Sequence, residues 1–216
     1  MLSLLSESCA AQAFPARFAL AQKWLQHEPR STLIVLEGMD GVGKSSVARR
    51  LTNLLGPSAK LYYPLPDDMR QSRALFDVMS EVEKRQFYFI GNLAAVAEAD
   101  AEYCVFDRSF ASTVAYQRGT LASHLQYPLD RPPLLRWPAA LRPRHYFYLT
   151  CDESVRLARL ATRPECTTEE KLLASSPAMR DEIDWTYRHF ENIQEIDVSS
   201  RTQDQVAEHI FSRLVQ

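Results

Sequence analysis

The sequence predicts an α/β fold, a five-stranded parallel sheet with helices on both faces. Three observations carry this. Five short apolar runs, at 33–37, 59–63, 103–107, 145–150 and 195–198, each precede or alternate with a stretch of helical periodicity, the pattern of a parallel sheet covered on both sides. A Gly-rich turn, Gly38-x4-Gly43-Lys44-Ser45, joins the first strand to the first of these helices. The length of 216 residues suits one core with a small lid and leaves no room for a second full domain.

The strand at 33–37 reads as fully buried, and Val47, Leu51, Leu54 and Leu55 recur at helical spacing until Gly56-Pro57 stops the helix at 44–55. A Gly-rich turn in that context is a phosphate cradle. Backbone N–H groups converge on a polyphosphate, Lys44 reaches the β and γ oxygens, and the Ser45 hydroxyl ligates Mg²⁺. A nucleoside triphosphate is the expected ligand.

After the strand at 59–63 comes Arg70-x-x-Arg73-Ala-Leu-Phe-Asp77, where Arg73 is either a second phosphate ligand or part of a solvated helix face. The helix expected at 81–101 places Tyr88 and Asn92 four residues apart on one face. A ring and an amide together can hold a base, although the helix alone reads as core. The strand at 103–107 ends in Asp107-Arg108-Ser109, and the carboxyl ends of parallel strands lie side by side at the ligand crevice. There Asp107 can hold Mg²⁺ through water and Arg108 can clamp a phosphate; standing alone, the pair is equally an ordinary ion pair.

Further helices are expected at 110–122, 152–162, 177–193 and 203–214. The proline-rich segment 127–143 reads as an ordered surface connection, and 163–170, without an apolar anchor, as a mobile lid.

A net charge of −2 gives no basic field for extended nucleic acid. Cys9, Cys104, Cys151 and Cys166 stand far apart, suggesting neither a disulfide framework nor a metal site and fitting a reducing compartment. No apolar run approaches the roughly 18 to 20 residues a membrane span needs, so no membrane partner is expected. Residues 1–30 read as a leader or an appended helix, with Phe14, Phe18 and Leu25 on one face; an organelle-targeting remnant is the alternative. The main domain is expected over 31–216.

In this order, residues 38–45, Asp107-Arg108, Phe87-Tyr88-x-x-Gly91-Asn92 and Thr167-x-Glu169-Glu170 followed by Arg180 and Tyr187 resemble the thymidylate kinase family of nucleoside monophosphate kinases. The similarity is greatest to its mitochondrial UMP-CMP kinase 2 branch, which also resembles this chain at Arg73-x-x-Phe76-Asp77, Ser112-Thr113 and Trp137-Pro138. It covers about residue 32 to the C-terminus.

The resemblance implies a P-loop NTPase-type three-layer sandwich of strand order 2-3-1-4-5, a homodimer and a mitochondrial address, with the cytoplasm as the alternative. It implies ATP- and Mg²⁺-dependent phosphorylation of a pyrimidine (deoxy)nucleoside monophosphate: CMP, UMP, dCMP, dUMP or dTMP. By the same resemblance Gly38, Gly41, Gly43, Lys44, Ser45 and Ser46 hold ATP phosphates, while Ser45 and Asp107 hold the metal. Asp40 sits between donor and acceptor, and Arg73 and Arg108 grip the acceptor phosphate. Tyr88 stacks on the base, and Ser112 and Tyr116 complete the acceptor site.

Several positions depart from the family pattern, among them Cys166 and Thr168 in a lid that is basic in the resembling branch, which would weaken its grip on ATP. Ser109 replaces an aromatic ring near the acceptor sugar. Gly41 stands where some members carry an arginine, so the catalytic cation is expected from Arg163 in the lid or Arg159 one turn earlier. Asn92 takes the place of an arginine that donates to O4 of thymine; an amide donates or accepts, which would admit both cytosine and uracil. A dedicated dTMP kinase and a degenerate nucleotide-binding protein are the alternatives. A GTPase switch is disfavoured, since the chain has no Asn-Lys-x-Asp motif.

Overall fold

The computed structural model describes residues 6–125, 129–162 and 167–215. Two helices, α1 (Cys9–Ala13) and α2 (Pro15–Trp24), precede β1 (Thr32–Glu37) and α3 (Lys44–Leu55). Then come β2 (Ala59–Tyr62), α4 (Asp67–Gln71), α5 (Arg73–Asp77), α6 (Glu81–Ala97), β3 (Tyr103–Asp107) and α7 (Phe110–His124). The chain continues through β4 (His145–Thr150), α8 (Glu153–Ala161), α9 (Thr168–Ser175), α10 (Pro177–Arg188), β5 (Ile193–Asp197) and α11 (Gln203–Leu214).

The sheet runs β2-β3-β1-β4-β5 and every pairing is parallel, the order the family resemblance implied. Alternation along the strands divides the interior in two. Leu33, Val35, Cys104, Phe106, Tyr146 and Tyr148 face α6, α7 and α10, while Ile34, Leu36, Val105, Phe147, Leu149 and Ile196 face α3 and α11. Burying each such large apolar side chain contributes about 1.5–3 kcal/mol. Since β1 is central and all strands point one way, Glu37 and Asp107 finish at the same edge, with Leu36 in register with Asp107.

Local chemistry sets the helix boundaries. Ser80 caps α6 by accepting from the Glu83 N–H at 3.3 Å; α9 and α11 begin in capping boxes, Thr167 with Glu170 and Thr202 with Gln205. The helix expected at 81–101 stops at Ala97, and the one at 177–193 stops at Arg188, after which Asn192 takes a positive φ of 63°.

The expected surface course of 127–143 is only partly right. Trp137, Ala140 and Leu141 are buried, and the Trp137 ring packs against Phe190 at 4.7 Å and Tyr146 at 5.3 Å. Pro128 lies outside the described residues. Of the lid, 163–166 lie outside them too, but Thr167–Glu170 is pinned: Glu169 accepts from Lys84 at 2.9 Å and Arg85 at 3.0 Å. The expectation rested on the lack of an apolar anchor and left these ion pairs out of account. The segment before β1 packs on α6 through Ala10, Ala11, Phe14, Phe18 and Ala21. Among the described residues no helix is long and apolar enough to cross a membrane.

Candidate active site

The turn after β1 is shaped by glycines that no other residue can replace cheaply. Gly38 has φ 148°, and a Cβ there would lie 2.5 Å from the Leu149 carbonyl oxygen. Gly41 has φ 96°, with the Arg156 carbonyl oxygen 2.8 Å from the same virtual atom. The loop is thereby packed against the start of α8 while Gly43 leads into α3. The Arg156 guanidinium, 2% exposed, donates to the Asp40 carbonyl oxygen at 2.9 Å, and Arg159 donates to that of Val42 at 3.1 Å.

Lys44 is buried and donates from Nζ to the Met39 carbonyl oxygen at 2.8 Å. Burial, together with the nearby Arg108 guanidinium, pushes it down to about 8. Ser45 is exposed and faces a cavity of about 450 Å³, as do Asp40 and Asp107.

Arg108 stands on the floor of that cavity. Its φ of 74° is one that a non-glycine residue adopts at a cost of about 1–3 kcal/mol, and its N–H donates to the Leu36 carbonyl oxygen at 3.1 Å. The guanidinium donates to the Asp40 carboxylate, to Ser112 Oγ at 3.0 Å and to the Tyr116 hydroxyl at 3.3 Å. Tyr116 in turn donates to Asp40 Oδ2 at 2.6 Å. Burial would raise the Asp40 carboxyl, but Arg108 and Lys44 hold it well below the usual carboxylate range.

Beneath Arg108 lies an anchor that the sequence did not announce. Glu37, fully buried, accepts from the N–H and hydroxyl of Ser109, both at 2.8 Å, and from the N–H and hydroxyl of Ser112 at 3.1 and 2.5 Å. Burial pushes this carboxyl up, and Arg108 with the two hydroxyls opposes the shift. The start of α7 is thus tied to the end of β1. An acid closing an otherwise apolar strand was the available signal.

The far end of the cavity is walled by α4, α5, α6 and the start of α9. Arg73 donates to Asp77 at 3.1 Å, and the Tyr88 hydroxyl donates to the other oxygen of Asp77 at 3.0 Å. Arg70, Arg85, Thr113, Thr167 and Glu169 complete the wall.

One cavity therefore gathers Asp40, Ser45, Arg73, Tyr88, Asp107, Arg108, Ser112 and Tyr116, with Lys44 buried beside it. Asn92 is placed differently from the expectation. It is 3% exposed, does not line the cavity, and donates from Nδ2 to the Tyr88 carbonyl oxygen at 2.6 Å and to Thr113 Oγ1 at 3.1 Å. A mid-helix amide with a backbone acceptor one turn back turns inward instead of toward a ligand. Arg159 is not at the cavity either: its second amino group donates to the Val198 carbonyl oxygen at 3.3 Å, and Arg156, one turn earlier, is the α8 residue beside Asp40. Arg163 lies outside the described residues. Sequence reasoning gave no role to Glu37, Arg156 or Glu169 as individual site residues.

A family model described as thymidylate kinase matches residues 36–210. The chain belongs to the thymidylate kinase family. It is 31% identical over 152 residues to a thymidylate kinase of Xanthomonas euvesicatoria, covering 64% of this chain and 65% of that one. It is 30% identical over 97 residues to NDP-polyphosphate phosphotransferase 1 of Ruegeria pomeroyi, covering 45% of this chain and 28% of the other. The chain thus spans less than two thirds of the length of these curated relatives. Deoxyadenosine kinase from M. mycoides, solved with bound dATP, superposes with a TM-score of 0.56 at 14% identity over 85% of this chain and all of that one, a likeness of fold.

In this member of the thymidylate kinase family Ser45 and Asp107 both line the cavity and bring oxygen donors to it, the ligand type a hard cation such as Mg²⁺ takes. No cluster of three His, Cys, Asp or Glu side chains among the described residues forms a metal cage.

Proposed function

We propose that the chain is a nucleoside monophosphate kinase that moves the γ-phosphoryl group of ATP to a pyrimidine nucleoside monophosphate, in the manner of the UMP-CMP kinase 2 branch. The observation that carries the reading is the seat of Arg108, whose guanidinium is held between Asp40 of the phosphate loop and Ser112 and Tyr116 of α7. It sits where two phosphorylated ligands meeting end to end would need a cation. Phosphoryl transfer asks a protein mainly to align two anions and offset their repulsion. At ~4 Å two unit charges interact by about 4 kcal/mol at an effective dielectric near 20, so Lys44, Arg108 and Arg73 decide whether the phosphates can meet.

Mg²⁺, when bound, supplies further neutralisation between the phosphates. Lys44 takes the donor phosphates, Arg73 and Arg108 the acceptor phosphate, and the Tyr88 ring offers a stacking face to the base. No side-chain base is required, because the acceptor is already an anionic nucleophile. Asp40 keeps Arg108 aimed at the junction.

A dedicated dTMP kinase is the second reading, favoured by the thymidylate kinase among the relatives. A coupled assay with ATP and CMP, dCMP, UMP, dUMP and dTMP separates the two. Turnover confined to dTMP would select the second, and no turnover with any of them would remove both in favour of a nucleotide-binding protein without kinase activity. Light scattering of the same sample tests the homodimer that belongs to this reading.

A further inference from the structure

With Asn92 turned into the protein, the cavity needs another group to read the edge of a base. The polar side chains near the Tyr88 ring narrow the choice. Arg73, bound to Asp77 through Nε, is assigned to the acceptor phosphate in the reading above, and the Tyr88 hydroxyl donates to Asp77. Glu169, at the start of α9, is approached by Lys84 Nζ at 2.9 Å and Arg85 Nη2 at 3.0 Å, both at its Oε1. Among the described residues no donor reaches Oε2, and no buried side-chain oxygen or nitrogen is left unpaired. Oε2 is therefore not sealed in the interior, and Glu169 lines the cavity. Arg85 lines it too, and donates from Nε and Nη2 to Glu81.

We propose that the Glu169 carboxylate, set beside Arg85 at the base end of the cavity, accepts a hydrogen bond from the 4-amino group of cytosine and makes the site prefer cytidine monophosphates. This rests on the pyrimidine reading above and names the base within it. Burial would raise the Glu169 carboxyl, but Arg85 and Lys84 more than reverse that, so it meets its ligand as an anion, an acceptor only. Cytosine brings an amino donor at position 4, which an acceptor-only carboxylate takes. Uracil and thymine carry an oxygen at position 4, and their single N3–H donor is flanked by carbonyl oxygens that a carboxylate repels. Position along the cavity agrees. Glu169 lies beside Tyr88 and Arg73, while Lys44 has other neighbours, Arg108, Asp40, Asp107 and Glu37. Because Glu169 leads α9 and Tyr88 belongs to α6, a cytosine bound this way would also tie these two helices together.

The test compares wild type with Glu169→Gln and Lys84→Met, measuring kcat/KM for CMP, UMP and dTMP and the melting temperature of each protein. Exchanging a charged acceptor for a neutral amide should lower the CMP-to-UMP ratio by about tenfold. Lys84→Met removes a partner of the same carboxylate but leaves the acceptor in place, so it should change all three substrates alike. Equal losses for every base in Glu169→Gln, or an equal shift of the ratio in Lys84→Met, would assign Glu169 to structure and overturn the proposal. If wild type turned over no pyrimidine monophosphate, the function proposed above would fall first and this assignment with it.

Discussion

The Lys44 ammonium donates to the carbonyl oxygen of Met39 at 2.8 Å, so the cation of the phosphate loop is folded back onto the loop it serves. Burial and the neighbouring Arg108 lower it from 10.5 to about 8. Between those values the unfolded chain carries this proton more often than the folded one, so the Lys44 contribution to stability rises with pH across that window. A polyphosphate reverses the shift by favouring the charged form. ATP binding at pH 8.5 is therefore expected to take up a proton, up to about one per site. Calorimetric titrations in two buffers of different ionisation enthalpy measure it, and identical heats in both would refute the assignment.

Replacing Arg108 removes the group that bridges the phosphate loop and α7. For Arg108→Ala a fall in kcat on the order of 10³ is expected. The carboxylate of Asp40 then loses its cationic hydrogen-bond partner and keeps Tyr116, and the pH dependence of stability should change with it. In wild type the carboxyl lies below its unfolded value of 3.8, so its stabilising contribution is present above that value and is lost as pH falls through the folded one. The melting-temperature gap between wild type and Arg108→Ala should be widest near neutrality and should narrow below pH 3.8. A variant with normal turnover would undo the mechanism.

Much of this was legible in the chain. The strands followed from apolar runs and the phosphate loop from its glycines, because both are local patterns with a fixed structural meaning. What stayed hidden depends on contacts distant in sequence. Glu37 and Ser112 lie 75 positions apart, and Lys84 and Glu169 lie 85 apart, so no spacing rule joins them. The inward turn of Asn92 has another cause: the amide has two possible partners, and the choice between the Tyr88 carbonyl and a ligand is made by packing. The short helices α4, α5 and α9 are too brief to display a period.

Glu37 should prove more structural than its place beside the cavity suggests. Glu37→Ala leaves the N–H groups of Ser109 and Ser112 without their acceptor at the start of α7, a loss of about 2–5 kcal/mol or roughly 5–15 °C in melting temperature for a chain of this size. Glu37→Gln keeps the shape and one acceptor oxygen, so it should cost less. Both should reduce kcat, since Ser112 Oγ links Glu37 to Arg108. Thermal melts read beside turnover check the pair, and an alanine variant as stable as wild type would contradict the tie between β1 and α7.

The segment before β1 braces the acceptor end of the cavity. The Phe14 ring packs against Phe76 at 6.2 Å and Phe87 at 6.0 Å, while Phe76 and Phe87 stack at 4.1 Å. Phe76 belongs to α5, which begins at Arg73, so removing Phe14 unseats the helix that carries a proposed phosphate ligand. Arg17 adds contacts to Asp68 and Glu98, but the acids are half-exposed and such pairs contribute about 0–1 kcal/mol. Phe14→Ala is expected to cost about 2–3 kcal/mol and to raise KM for the acceptor severalfold with KM for ATP unchanged. Arg17→Ala should leave both within experimental error. Melting curves and the two KM values decide: a destabilised Phe14→Ala with unaltered acceptor KM would show that the segment supports the core without positioning the site.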